Sequence, residues 1–516
     1  MKATQAQTDC IQETFGFQAI GKRKVEADFS GGYLSSDGGV LLVGEVDKRL
    51  RLTDQLSSCF IDDRKQWLVE HSLPVLIAQR VQGIALGYED INDHETLRLD
   101  PLLAASCGRV DVLGEERFSS EDKGKPLAGK STLNRLELGA EGIESTEIAK
   151  DRYYRKIQAK PEEIEALLIE MGVKAIPRKS RIIVLDFDAT DDAIHGDQEG
   201  KYYHGYYKNY CYLPLYCFCG DIPLWAELRK SDKDGSAGTK EALEKISKAI
   251  RKRFGKHVRI IVRADSGFCR DELLTWIESQ PNMHYCVGLA RNKRLEKMLE
   301  PAFEETLKKL GYFQLVERAI EAGADKLPEI SELEGSERSF AELRYRTLDS
   351  WSRERRVIGK AEITKGKKNP RFIVTDLTGK ENWIKKIEDK TQFESGRNLY
   401  ENFYCARGEA ENKIKEQQLD MFADRTSTAY MTSNQLRLWF STFAYMLVRQ
   451  LRATGLKGTR LSKATVGTIR LKLMKIAAQV TVSVRRVYVR LASASPNADV
   501  FAQAHHNMQN WRPELE

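Results

Sequence analysis

No apolar stretch in these 516 residues approaches the roughly 20 needed to span a bilayer, which excludes a helical membrane protein. The opening MKATQAQTDC lacks an apolar h-region, so no secretory signal is expected. No C-x-x-C occurs. The nine cysteines are odd in number and scattered (10, 59, 107, 211, 217, 219, 269, 286, 405), and Cys217-x-Cys219 is not a usual zinc spacing. That usage is expected of reduced, partly buried thiols in a cytosolic protein. The chain has no internal repeat and no low-complexity tract. With 41% apolar and 30% charged residues it can build a sizeable core, and wholesale disorder is excluded.

What is present is length and an uneven charge. A chain this long suggests roughly two to four domains. The net charge is +7, but from Arg425 onward 14 Lys/Arg face three acids (Asp499, Glu514, Glu516), a net of +11 that leaves −4 for the rest. A basic C-terminal segment on a near-neutral body points to a polyanionic partner, most simply nucleic acid. A solvated basic face gives the same count.

The clearest local signal is RIIVLDFDATDD, residues 181–192. Ile182, Ile183, Val184 and Leu185 read as a buried strand running into carboxylates. Asp186 and Asp188 are two apart and so share a face of that strand. Carboxylates there are costly unless hydrogen-bonded or bound to a metal. Asp191 and Asp192 read as loop acids. YYKNYCYLPLYCFCG (206–220) reads as a second strand and IPLWAELRK as a third. The helix KEALEKISKAIRKRFG follows, stopped by Gly255. HVRIIVRADSGF is another buried strand ending in a carboxylate, Asp265, followed by the helix RDELLTWIESQ and the strand MHYCVGLAR. This order predicts a mixed sheet covered by helices, with right-handed crossovers.

Around that core the expected organisation is as follows. Residues 1–175 are mainly helical; Leu73, Ile77, Val81 and Ile84 form one stripe, and Pro161 with Glu162 and Glu163 opens the last helix. His71 and His94 lack any accompanying ligand pattern and read as surface or packing residues. Residues 176–300 are the first part of the core. Residues 301–395 form a β-rich insertion, 396–425 return to the core as a helix, and 426–516 are a basic helical region.

Asp265 and Asp188 (or Asp186) end two buried strands. If those strands pair, about 4.8 Å apart, the carboxylates can share a divalent cation, and magnesium keeps several waters and needs only two or three of them. On the 396–425 helix, Tyr404, Arg407, Glu411 and Lys415 are spaced 3, 4 and 4 apart and lie on one face. Glu411 can bind metal while Tyr404, Arg407 and Lys415 hold phosphates, arginine bidentately. An ordinary salt-bridged helix face has the same spacing.

Taken together these blocks resemble a DDE transposase of bacterial insertion sequences. The Tyr404-x-x-Arg407-x-x-x-Glu411 stretch resembles the Tyr-Arg-Glu-Lys signature of those with a β insertion. LDFDATDDAIHGDQEG, ENKIKE, VEHSLPVLIAQRVQGIALGYEDINDHETLRLDP and STLNRLEL resemble, more narrowly, insertion-sequence group 1380, from about residue 30 to 455. The resemblance implies an α/β fold with a ribonuclease-H-like core. It implies Asp188, Asp265 and Glu411 as catalytic and metal-holding acids, with Asp186 beside Asp188 as a further ligand; the family's Asp-x-Thr matches Asp188-Ala189-Thr190. The implied cofactor is Mg2+, two ions, with Mn2+ able to substitute. The implied reaction is cleavage at the element's terminal inverted repeats and transfer of the 3′-hydroxyl to target DNA. The N-terminal helices are expected to bind the repeats, and the protein to act as a homodimer on double-stranded DNA in the bacterial cytoplasm, associated with the nucleoid. Tyr404, Arg407 and Lys415 would contact DNA. The family's lysine, seven residues after the glutamate, is Gln418 here, so either Lys415, one turn after Glu411, is the substitute or the group does without that lysine. His195 and Gln198 are further candidates for substrate contact, and Trp351 and Trp383 for stacking a flipped base at a hairpin end.

Two other readings fit the same residues. A ribonuclease-H-like nuclease would cut DNA and join nothing. A DNA-binding protein derived from a transposase would need none of the three acids.

Overall fold

The computed structural model describes residues 14–138, 156–377 and 396–513; Trp383 lies outside them. It is a mixed α/β structure in two compact units. One comprises residues 1–139, 152–158 and 447–516, the other residues 140–151 and 159–446.

In the first unit, the N-terminal helices and the C-terminal segment form one body. Val40–Leu50, Leu73–Leu86 and Lys130–Glu137 are its larger N-terminal helices. The helix Leu73–Leu86 is apolar nearly all round and almost wholly buried, as a central core helix should be. The C-terminal segment, expected to be helical, also carries a hairpin. Ala478–Ser483 pairs with Arg486–Leu491 and, on its other side, with Tyr33–Ser35. Its β-branched alternation, AQVTVS and RVYVRL, is a strand period that the sequence reading took for helix. A last helix, Ala498–Asn510, closes the unit.

The second unit is built on one eight-stranded sheet. Its order is Ile222–Glu227, Leu215–Cys219, Ile182–Ala189, Arg259–Ala264, Met283–Leu289, Lys367–Thr375, Arg355–Thr364, Ser336–Tyr345. Ile182–Ala189, Arg259–Ala264 and Met283–Leu289 run parallel, and the remaining neighbours are antiparallel. Helices Thr239–Phe254 and Asp271–Ser279 make the crossovers that parallel neighbours require. Alternation in Arg259–Ala264 sorts the two layers: Ile260 and Val262 pack with the crossover helices, while Ile261 packs with Leu399, Tyr400 and Phe403. Charged residues within this sheet therefore lie between two dry layers.

Several expectations change here. The helix Pro161–Ala175, read as the end of the N-terminal region, packs on the sheet instead. A Cβ at Gly172 would come within 2.5 Å of the Pro223 carbonyl oxygen, so only glycine permits that approach. The tyrosine-rich stretch is two strands, Asn209–Tyr212 and Leu215–Cys219, in different sheets, because Pro214 cannot donate to a ladder. The three strands read as an insertion extend the main sheet, joining it where Lys367–Thr375 pairs with Met283–Leu289. Trp351 is buried, edge-on to Tyr345 at 5.8 Å and under the Arg355 guanidinium, which makes it a packing residue. The eight cysteines among the described residues are free thiols.

The sheet centre carries a buried ion pair. Arg263 Nε and Nη2 donate to the two Asp186 oxygens at 2.7 and 2.8 Å, and Arg263 Nη1 donates to the Phe403 carbonyl at 2.6 Å. Removing one partner of such a pair leaves a charge stranded in the interior, typically at about 3–5 kcal/mol. Arg263→Met is therefore expected to lower the urea midpoint of the sheet unit sharply. Asp186→Leu/Arg263→Met should lower it less than the single change. If the double variant is the less stable of the two, the stranded-charge account is wrong.

Candidate active site

Asp188 and Asp265 reach the site through strand register. Ile182–Ala189 and Arg259–Ala264 pair in parallel with Asp186 opposite Arg263. Two residues further on, Asp188, still on its strand opposite Tyr216, and Asp265, just past the end of the neighbouring strand, line one cleft of about 520 Å³. Asp265 Oδ1 accepts the Gly267 amide at 2.8 Å, which fixes the turn after the strand and aims the carboxylate.

Glu411 arrives from the other end of the chain. The helical stretch 396–420 is not a uniform α-helix: Leu399–Tyr404 and Glu416–Asp420 are π-helical, with a tight turn at Cys405–Arg407 and an α-helix at Gly408–Lys415. Such register changes gather at functional sites because they re-aim side chains. Arg407, Glu411 and Lys415 all line the cleft. Tyr404, one turn earlier, swings toward the sheet instead, where a Cβ at Gly288 would lie 2.6 Å from its hydroxyl. Burial, with smaller contributions from nearby charges, pushes the Tyr404 phenol up to about 12.

Arg407 is the cation of this group. Its guanidinium pairs with Glu411 and stands 3.5 Å from Asp188. Burial is the largest influence on Asp188; Arg407 opposes it, and the charges of Asp265 and Glu411 add to it, so its pKa rises to about 7. Among the described residues, no three His, Cys, Asp or Glu side chains are grouped closely enough to hold a metal ion as they stand. The donor set nonetheless suits a hard divalent cation. It offers only carboxylate oxygens, and Asp188 is raised by burial with two further carboxylates beside it, which a bound cation would offset. Asp188, Asp265 and Glu411 are the residues that could hold one.

Asp186 is not part of this group, because both its oxygens are taken by Arg263. Gln418 lines the cleft and donates from Nε2 to Asp192 Oδ1 at 2.7 Å. Asp192 is thus wholly buried rather than a loop acid, and burial holds its carboxyl far above the usual range. His195 is exposed, and Gln198 donates to the Thr426 carbonyl; neither lines the cleft.

The sequence reading missed two features. Arg263 is one: a charge two residues before Asp265 in a buried strand mirrors Asp186 two before Asp188, and opposite charges at matched positions of parallel strands were the available signal. The other is an aromatic group at the cleft, His204, Tyr206 and Tyr207, in which the Tyr207 ring centroid lies 4.9 Å from that of His204 and 5.0 Å from that of Tyr206. Tyr206 is 84% exposed. Tyr206 and Tyr207 lay in a stretch read only as strand.

A family model described as transposase DDE domain group 1 matches residues 17–513. No curated protein matches. Among solved structures, the piggyBac transposase in a synaptic complex with hairpin DNA is similar at 11% identity. That match covers 84% of this chain and 79% of that chain, with a TM-score of 0.38, a likeness too loose to carry an argument.

The raised Asp188 pKa has a signed consequence. An acid whose pKa is higher folded than unfolded holds its proton more tightly in the fold. Its contribution to stability is whole below 3.8 and is lost as the pH rises through about 7. Asp188→Asn is expected to raise the melting temperature of the metal-free protein at pH 8 and hardly change it at pH 4, read by calorimetry. Equal shifts at both pH values would contradict the assignment.

Proposed function

The chain belongs to the transposase DDE domain family, group 1, and on that premise we propose that it is a DNA transposase of a bacterial insertion sequence. It binds the element's terminal inverted repeats, cuts at the element ends and transfers the freed 3′-hydroxyl to target DNA. The observation that carries this reading is the meeting of Asp188, Asp265 and Glu411 around one cleft from three separate segments, with Arg407 among them. The order of the first five sheet strands, with Asp188 on the central one and Asp265 at the end of its parallel neighbour, supports a ribonuclease-H-like core. The quoted sequence blocks support insertion-sequence group 1380 and the Tyr-Arg-Glu-Lys type.

Asp188, Asp265 and Glu411 would hold Mg2+, two ions, with Mn2+ able to substitute. Bound there, the metal supplies Lewis-acid activation of the attacking oxygen and charge relief at the leaving one. The chain's own residues do the rest. Arg407, with the carboxylates neutralised, turns its fork to a phosphate near the scissile bond. Lys415, exposed on the cleft wall, adds a second phosphate contact. Gln418 stands where the family has lysine and is spent on Asp192, so it positions the strand end that carries Asp188 rather than touching DNA. Tyr404 braces the turn after Asp265. Tyr206 and Tyr207 give the displaced strand an aromatic surface, a role Trp351 cannot fill from its buried place. Two ends must be joined in one event, which calls for a homodimer on DNA.

Glu411→Gln is expected to bind a duplex bearing the gene's flanking ends as the wild type does, and to leave it uncut in Mg2+ while the wild type nicks at the repeat boundary. Normal cutting by the variant would remove Glu411 from the site. Binding by both proteins with cutting by neither would favour the DNA-binding protein over the enzyme.

A further inference from the structure

The first unit contains a cleft that the proposed chemistry does not use. Its volume is about 520 Å³, close to that of the carboxylate cleft. Two of the sequence blocks quoted above meet in it: VEHS supplies Val69, Glu70 and His71, and STLNRLEL supplies Thr132 and Arg135. Lys156 is brought to it where the Asp63 amide donates to the Lys156 carbonyl at 2.7 Å. The lining holds five cations, Arg64, Lys65, Arg117, Arg135 and Lys156, against one carboxylate, Glu70.

That carboxylate is already committed. Glu70 accepts the Phe118 amide at 2.6 Å and pairs with Arg117 at 2.6 Å. Arg64 is forked onto Asp62 at 2.7 Å and donates to the His71 carbonyl. These contacts make a rigid floor. His71 within it is 4% exposed, and its Nδ1 has no hydrogen-bond partner among the described residues. An unpartnered buried ring nitrogen is costly in a finished core and useful where a ligand completes the site. Burial, then the surrounding arginines Arg117, Arg109, Arg98 and Arg64, lower His71 to about 3, so the ring stays neutral. Above the floor, Lys65 and Arg135 are exposed. Between Lys65 and Leu68 stands Trp67, 74% exposed, with the Lys65 ammonium 5.9 Å from its ring centre. Cations over a fixed polar floor, with an aromatic face beside them, suit a phosphodiester backbone flanked by bases.

We propose that this cleft holds the sugar–phosphate backbone of DNA, with Lys65, Arg135 and Lys156 as contact cations over the floor of Arg64, Arg117 and His71. The choice of DNA as the polyanion rests on the transposase reading; the anion chemistry of the cleft does not. It gives the first unit a surface for the backbone of the element ends.

Fluorescence anisotropy of the full chain tests this, with a duplex of the flanking ends and a scrambled duplex, from 50 to 300 mM NaCl. Lys65→Gln and Arg135→Gln, both exposed positions, are compared with wild type after melting curves confirm an unchanged fold. Each is expected to weaken binding several-fold at 100 mM salt, and to lower the slope of log K against log salt by about 0.9, one phosphate contact. Unchanged affinity and slope in both variants would overturn the cleft while leaving the transposase reading intact. Weaker binding by the variants to both duplexes, with no wild-type preference for the ends, would keep the cleft and count against end recognition. No DNA binding by wild type would overturn both. Competition by inorganic phosphate below 1 mM would mark a small-anion site instead of a DNA backbone site.

Discussion

The arrangement of the second unit depends on one guanidinium. Arg263 forks onto Asp186 on one strand, belongs itself to the next, and donates to the Phe403 carbonyl on the helical stretch beyond the sheet. Those three elements carry Asp188, Asp265 and Glu411. A fork of this kind is directional: planar donors meet a planar carboxylate, which sets strand register as well as attraction. With Asp186 opposite Arg263, the next outward-pointing residues on the same face are Asp188 and Asp265. The Arg263 ring contact with Phe403, 5.0 Å from guanidinium to ring centre, holds the same helical stretch against the sheet.

This dependence explains what the sequence disclosed and what it hid. The strands around Ile182–Ala189 and Arg259–Ala264 were legible because four or five apolar residues in a row leave few alternatives. Asp188 and Asp265 were legible as acids at the ends of such strands, and Glu411 as an acid sharing a helix face with Arg407 and Lys415. Asp186 was misread for a physical reason. Period two places it on the face of Asp188, but the decisive fact is what stands opposite, and that lies 77 residues away. Asp192 was misread in the same way, since its partner Gln418 lies 226 residues away. Tyr404 was assigned to the face of Arg407 and Glu411, and it does stand beside Arg407, but it does not line the cleft and its hydroxyl lies close to Gly288 in the sheet. The hairpin at Ala478–Leu491 was hidden in a short β-branched run beside strong helix formers, where propensity alone decides poorly.

Charge is handled in opposite ways in the two clefts. In the second unit carboxylates outnumber the cations near them, and burial, with the charges of Asp265 and Glu411 adding to it, raises Asp188. In the first unit cations outnumber carboxylates along the cleft lining, and burial, then the nearby arginines, lowers His71. A negative cleft suits divalent cations and a positive one suits phosphates.

The most direct test of the central claim supplies the second half of the reaction. Pre-cut duplex ends of the element, each with a free 3′-hydroxyl, are incubated with supercoiled target DNA and Mg2+, using wild type and Asp265→Asn. The account predicts covalent joining of the ends to target by the wild type and none by the variant. Failure of the wild type to join while it still cuts intact ends would leave a nuclease, and equal joining by Asp265→Asn would break the link between the carboxylate cleft and the chemistry.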